Sequence, residues 1–332
     1  MRRLIIGILL IAVLAAGVAA WALRDLQNFR ASPLAQDGPV TLWLESGSNF
    51  RSLVRRLEWL GLSRQDWRWR LIGRLDAPVL RAGEYRIEPG MTVDQLLAAV
   101  AAGRVLEHRF TIVEGWTVAE MRARLAVDTR LQKVAADFTD EQLMQRLGCD
   151  GCRAEGRFLP ETYFFQRGSS DLALLERAYS AMEDALQRAW TNRRDDLPID
   201  EPYDLLVLAS LIERETGQPD ERARIAGVFV RRLDLGMRLQ TDPTVVYGLG
   251  EDFDGRLRRV HLRTDHPWNT YTRHGLPPTP IALPGRDALE AAARPADGTA
   301  LYFVSRGDGS HKFSDTLAEH NAAVDRYIRG RQ

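Results

Sequence analysis

The strongest run of apolar positions lies at the start of the chain. Residues Leu4 to Leu23, LIIGILLIAVLAAGVAAWAL, are uncharged throughout and mostly apolar. At ~1.5 Å per helical residue such a run spans roughly the 30 Å hydrocarbon core of a bilayer. It predicts a membrane helix, with Arg2 and Arg3 ahead of it and Trp21 near its far end, where an interfacial aromatic belongs. The positive-inside bias places the N-terminus in the cytoplasm and the rest of the chain outside. The small residues of AGVAAWA would also suit a signal-peptide cleavage site. The run is longer than the ~7–15 residues of a typical signal-peptide core, so an anchor is the reading adopted.

Beyond the anchor, three segments repeat one pattern: TLWLESGSNFRSLVRRL from Thr41, YRIEPGMTVDQLLAAV from Tyr85 and FTIVEGWTVAEMRARL from Phe110. Each begins with alternating apolar positions, passes an acidic residue and a glycine (Gly47, Gly90, Gly115), and continues at helical period. Thr92 and Thr117 are placed as N-caps, with Gln95 and Glu120 three residues on as capping-box partners. The unit is strand, turn, helix. It resembles the LysM module, a small β-α fold that lies on glycan strands, although glycine with Ser or Thr between strand and helix is also ordinary turn and capping chemistry. Helix is expected over Leu53 to Leu71, interrupted near GLSRQD, with Ser63 capping its second part.

The later segments read as follows. Ala126 to Gly151 is polar and helical in pattern, Glu155 to Phe165 brings aromatics around a proline turn, and Asp171 to Arg193 is a long amphipathic helix. Leu205 to Ile212 is apolar on every side, which implies a buried helix. QPDERARIAGVFVRRLDLGM starts with proline and acids, as a helix does, and stops at Gly236. LQTDPTVVYGLG and HPWNTYTRHGLPPTPIALPG read as turn-rich, and four prolines between Pro277 and Pro284 exclude regular helix or a central strand. The C-terminal stretch reads as strand, glycine turn, short strand and closing helix. The elements together predict an α+β chain.

Composition narrows the function classes. The 332 residues, 45% of them apolar, are enough for about two domains, and a formal net charge of zero gives no argument for a nucleic-acid partner. Phosphate-loop, dinucleotide, HExxH and GxSxG motifs are absent from the sequence. The six histidines show no spacing of metal ligands, so neither metal nor cofactor is expected. Cys149 and Cys152, in CDGC, could form a local disulfide, a redox pair or half of a zinc site; with no further ligand pair in the sequence, a loop disulfide is preferred.

The helix Leu205–Ile212 runs into two acids, Glu213 and Glu215. Two residues apart on a helix, they point about 200° from each other and cannot face one bond as a pair. A carboxyl at the end of a buried helix has its charged form disfavoured, as a neutral-pH general acid requires. Salt bridges to Arg214 or Arg222 are the structural alternative, and helical geometry does not choose between the two acids. Gln240, Thr241, Asp242 and Tyr247, then Trp268, Asn269, Thr270 and Tyr271, supply the aromatic faces and short polar groups that a sugar cleft needs, as a polar core of turns also would.

Taken in order, EGRFLPETY, ASLIERET, VFVRRLDLGMRLQTDPTVVYGLG, WNTYTRHGLPPTPIALPG and LYFVSRGDGSHKFSDTLAEHN resemble the blocks of the endolytic murein transglycosylase (YceG-like) family. The resemblance covers nearly the whole chain. It implies a single-pass inner-membrane enzyme that cuts nascent peptidoglycan strands internally between N-acetylmuramic acid and N-acetylglucosamine, with its catalytic domain in the periplasm and peptidoglycan synthases as candidate partners. The family's catalytic glutamate, the second acid of E-x-E-T, falls on Glu215, with Glu213 supporting it. Gln240, Thr241, Asp242, Tyr247, Asn269, Tyr271 and His320 fall at cleft positions. Leu283 replaces the small or polar residue often found before Pro284, and CDGC has no counterpart in the family pattern.

The implied organisation is a cytoplasmic tail at 1–3, a transmembrane helix at 4–23, a linker at 24–38, a LysM-like region at 39–125 and a catalytic domain at 126–332. Lytic cleavage needs one carboxyl, whereas standard glycoside hydrolysis uses two. Asp242 as partner to Glu215 keeps a two-carboxylate muramidase open, and a non-catalytic glycan-binding scaffold is the other alternative.

Overall fold

A computed structural model describes residues 2–331. Met1 and Gln332, the outermost positions of the expected tail and catalytic domain, lie outside the described residues. The chain is mixed α+β, led by an apolar helix, and it divides into two compact units. One comprises the residues through His108 together with Phe164–Gly168; the other comprises Arg109–Tyr163 and the residues from Ser169 onward.

The first unit begins with α1 (Arg2–Ala31), whose apolar window is wholly exposed, as a helix made to sit in lipid would be. Beyond Leu23 the helix continues. Leu26 is buried, and Phe29 meets Trp69 edge-on at 5.3 Å between ring centroids. The segment 24–38, expected as linker, is therefore helical through residue 31. There follow β1 (Val40–Leu44), α2 (Phe50–Trp59), α3 (Trp67–Leu75), β2 (Gly83–Ile87) and α4 (Val93–Ala102). Strands β1 and β2 pair antiparallel from Val40↔Ile87 to Leu44↔Gly83, and their alternate side chains Leu42, Leu44, Tyr85 and Ile87 join Leu53, Leu57, Trp69, Ile72 and Leu96 in one core.

The expected breaks are close to those found, with one difference in capping. Helix α3 is capped by Asp66, whose carboxylate accepts from the Arg68 amide, and not by Ser63. Ser63 instead accepts the indole N–H of Trp69. Both Thr92 and Thr117 form the expected capping boxes, and Asn49 with Ser52 serves the first repeat.

Strand β3 (Glu107–Thr111) leads to α5 (Val118–Val127), the third repeat's helix. The stretch after it is mostly turns; only α6 (Asp140–Arg146) is helical, which corrects the reading of Ala126 to Gly151. Its polar pattern has too few apolar positions to bury a longer face, and Asp171 instead ties the Val134 and Ala135 amides into a turn. Cys149 and Cys152 form a disulfide. Strand β4 (Thr162–Gln166) pairs with β3.

The second unit is built around a helical core. Helices α7 (Asp171–Thr191), α8 (Pro202–Glu215), α9 (Pro219–Asp234), α10 (Asp242–Leu249), α11 (Arg259–Arg263) and α12 (Arg286–Ala293) precede an antiparallel hairpin and the closing helix. The hairpin is β5 (Tyr302–Ser305) with β6 (His311–Ser314), and the helix is α13 (Leu317–Tyr327). Helix α8 lies inside: every residue from Leu205 to Ile212 is buried, against α7, α9 and α12. The DPTVVYGL stretch, expected as turn, is helix α10, because Pro243 sits in its first turn, where no amide donor is needed. The proline-rich loop 277–284 is irregular as expected and largely buried; Ser210 of α8 accepts the Ile281 amide at 3.0 Å.

Candidate active site

The acids at the end of α8 diverge as helical geometry requires. Glu213 accepts the Gly285 amide at 2.9 Å and meets the Arg222 guanidinium at 3.5 Å. Arg222 is itself buried and also pairs with Glu114 and Asp287, at 3.3 and 3.2 Å. Burial, with the nearby charge of Glu114, holds the Glu213 carboxyl above its usual range. Its contacts are structural: it fastens the end of α8 to the start of α12.

Glu215 faces a different neighbourhood. Its carboxylate accepts the hydroxyl of Thr241. Desolvation pushes its pKa to about 7, and the charge of Asp242 adds to the shift; the Thr241 hydroxyl and the positive influence of His311 and Arg232 oppose it. After Glu215 the chain turns extended at Thr216, whose hydroxyl accepts the Gln218 amide, so the helix ends there.

The segment carrying Thr241 is held on several sides. Gln240 has φ 51°, the only positive φ at a non-glycine position among the described residues, and its amide donates to Thr270 O. The Thr241 amide donates to Thr270 Oγ1 at 3.0 Å, and Thr244 Oγ1 donates to Thr241 O at 2.8 Å. Arg232, buried on α9, donates to Leu239 O, Arg238 O and Leu301 O at 2.7, 3.2 and 2.7 Å. One cation thus fixes both the approach to Thr241 and the base of the β5 hairpin. Its guanidinium also lies 5.0 Å from the Tyr302 ring centroid.

The expected cleft residues separate into groups. Thr241 and Asp242 stand by Glu215, and Tyr271 donates to Asp242 Oδ1 at 2.5 Å. Burial and that carboxylate raise the Tyr271 pKa. His320 stacks on Tyr302 at 5.2 Å, and burial beside Arg232 lowers its pKa. Asn269 is fully buried: its amide group donates to His261 O, Leu262 O and Thr264 O and accepts from the Tyr271 amide. It shapes the loop that presents Tyr271. Gln240 is exposed, and its part is the turn described above.

Tyr247 belongs to a second polar cluster, on a cavity of about 1080 Å³. Its hydroxyl donates to Glu155 at 3.2 Å, and its ring meets Trp268 at 5.7 Å. Burial raises the Glu155 pKa to about 7 against the favourable effect of the Val118 amide and the Tyr247 hydroxyl.

Comparison with known proteins fixes the family. The sequence profile of the YceG-like family matches residues 42–326. The chain belongs to the YceG-like family. Among YceG-like relatives, the endolytic murein transglycosylase of Bacillus subtilis is 32% identical over 265 residues, which are 75% of this chain and 73% of that protein. That of Streptococcus pneumoniae is 25% identical over 327 residues, 88% of this chain but only 59% of the relative. The crystal structure of a YceG-like protein from Listeria monocytogenes matches with TM-score 0.56 and 27% identity, over 86% of this chain and 99% of that one.

Four residues of this YceG-like site escaped the sequence reading: Arg232, Glu155, Glu221 and His311. Arg232 had a partial signal, being one of two arginines in the otherwise apolar stretch VFVRRL. Glu155 had a weaker one, an acid before a glycine turn. Glu221 accepts both the His311 amide (2.9 Å) and its ring Nδ1 (2.7 Å), a pairing across 90 residues that no local pattern reveals.

Proposed function

We propose that this chain is an endolytic peptidoglycan lytic transglycosylase, which cleaves the MurNAc–GlcNAc bond within nascent glycan strands, leaves 1,6-anhydro-MurNAc ends and so limits strand length in cell-wall assembly. The observation that carries the chemistry is Glu215: a single carboxyl at the end of a helix buried from Leu205 to Ile212, with its pKa pushed to about 7 and hydrogen-bonded to Thr241. Its nearest acid on the helix, Glu213, is turned to Gly285 and Arg222.

In this mechanism protonated Glu215 donates to the glycosidic oxygen as the C1–O bond breaks. The muramoyl C6 hydroxyl then attacks C1, closing the anhydro ring, and the Glu215 carboxylate takes up the hydroxyl proton. The acid is regenerated, and no water is consumed. Asp242 is close enough for its charge to raise the Glu215 pKa, which is the observation that favours a two-carboxylate muramidase as second reading.

Residues 126–332 carry the chemistry in this reading and 39–125 form the LysM-like region that lies on glycan. The helix over 4–23 anchors the protein in the inner membrane with its N-terminus cytoplasmic and the rest periplasmic, where glycan strands, and peptidoglycan synthases as protein partners, would be met. Product mass spectrometry tests the reaction: wild type should release anhydro ends, and Glu215→Gln should release none while folding normally. Ends heavier by one water would replace the lyase with the muramidase. Near wild-type turnover in Glu215→Gln would remove Glu215 from the chemistry, and purified protein that never shortens polymer would leave the scaffold.

A further inference from the structure

The cavity at Glu155 is assigned no part in the reaction above. It opens among the first turn of α5, the first turn of α6, the disulfide loop and α10. Its volume of about 1080 Å³ lies just above the ~300–1,000 Å³ that ligand sites usually occupy. Two of its lining residues, Arg214 and Pro243, are the immediate chain neighbours of Glu215 and Asp242. A ligand filling it reaches the residues beside both acids.

The walls are fixed before any ligand arrives. Tyr247 and Trp268 form an edge-to-face pair, and Trp268 Nε1 donates to Thr279 Oγ1 at 2.9 Å. Glu155 accepts the Val118 amide at 3.1 Å and the Tyr247 hydroxyl at 3.2 Å. With its pKa near 7, this carboxyl offers an acceptor and, when protonated, a donor as well. That dual character matches a sugar hydroxyl or an acetamido group. Glu120, Asp140, Glu141 and Glu251 at the wall outnumber Arg153 and Arg214, which disfavours an anionic ligand such as a carboxylate-rich peptide. Aromatic faces beside neutral hydrogen-bonding groups suit a neutral saccharide.

We propose that this cavity is a saccharide subsite that holds an N-acetylated amino sugar of the strand beside the bond under attack, with Glu155 as its specificity-determining residue. The proposal rests on the glycan-cleaving reading for its place in the reaction, but the binding itself can be tested without turnover. The full chain carrying Glu215→Gln, in detergent, is titrated calorimetrically with the tetrasaccharide of N-acetylglucosamine. Binding should weaken at least about tenfold on adding Glu155→Leu, which removes the carboxyl, and stay within about threefold for Glu155→Gln, which keeps donor and acceptor. Ala119→Trp adds bulk at an exposed position on the cavity wall, removes no hydrogen bond, and should abolish binding; it decides the matter if Glu155→Leu fails to fold. In the active enzyme Glu155→Leu and Ala119→Trp should raise KM and leave kcat within about threefold, and Glu155→Gln should leave KM within about threefold.

No binding by the Glu215→Gln protein at millimolar tetrasaccharide overturns the proposal, as does binding indifferent to Ala119→Trp, or a cavity that takes free stem peptide in place of the sugar. Glu155-dependent binding by a protein that never cleaves glycan would sustain the subsite and sink the lyase reading alone.

Discussion

Thr241→Val removes one hydroxyl from the surroundings of Glu215 and leaves the backbone supports of the segment in place. The Thr241 amide still has Thr270 Oγ1, its carbonyl still has Thr244 Oγ1, and Arg232 still holds Leu239 O. Valine nearly matches threonine in volume at a site 2% exposed. What is lost is a donor that favours the charged carboxylate. A hydrogen bond to a charged group is worth ~1.5–3 kcal/mol, and at ~1.36 kcal/mol per pKa unit its loss moves the Glu215 pKa up by about one to two units.

The sign for catalysis follows from the acid role proposed for Glu215. Activity falls as pH rises through its pKa, which stands at about 7 in the wild type. Thr241→Val should carry that alkaline limb upward by at least about one unit, so that at pH 7 the protonated fraction rises from about half to about nine tenths. Initial rates of anhydro-end formation between about pH 5 and pH 9 provide the assay, with substrate well below KM so that the free enzyme is read. An alkaline limb that stays in place, or moves to lower pH, would refute the assignment of both the hydrogen bond and the acid.

Other consequences are measurable. Glu155 and Glu215 each titrate at about 7 in the folded chain against an ordinary 4.5. Stability from each is therefore fully present below pH 4.5 and lost as pH rises to about 7, roughly 3 kcal/mol per group, so Glu155→Gln should flatten the difference between denaturant melts at the two ends of that window by about that amount. Arg222→Ala leaves Glu213 buried without its cation and should cost about 3–5 kcal/mol in the same melts; a loss under about 1 kcal/mol would show that the Gly285 amide alone suffices to hold the Glu213 carboxyl. Replacing Cys149 and Cys152 together by serine opens only a very short loop and should cost no more than about 2 kcal/mol. Removing residues 2–23 should move the protein from the membrane to the soluble fraction on cell fractionation; retention on membranes would point to a second attachment.

The pattern of apolar positions predicted the long apolar N-terminal helix, the three strand-turn-helix units, the buried α8 and the terminal hairpin, because each is set by a local period or a capping residue. It failed where local signals conflict. DPTVVYGL looked like a turn, since aspartate and proline open it and glycine comes near its end, yet Thr244 and Val245 bury into the second unit's interior and the helix forms. Ala126 to Gly151 looked helical because polar residues tolerate a helix, but its few buried side chains, Leu131, Ala135, Leu143 and Met144, do not line one continuous helical face. The site divides in the same way. The divergence of Glu213 and Glu215 is a property of one helical turn and could be read in advance. That Arg232 gathers carbonyls from two segments, or that Glu221 grips His311, depends on contacts between distant parts of the chain.

The left-handed backbone at Gln240 gives this position a use in protein engineering. A side chain held at φ 51° costs ~1–2 kcal/mol relative to the ordinary helical region, and glycine would escape most of that cost. Glycine would also loosen the segment that aims the Thr241 hydroxyl. A saturation library at position 240, sorted for folding, should therefore favour Gly, Asn and Asp and lose Val, Ile and Thr. Sorted for turnover, the same library separates what the backbone demands at that position from what the glutamine side chain adds.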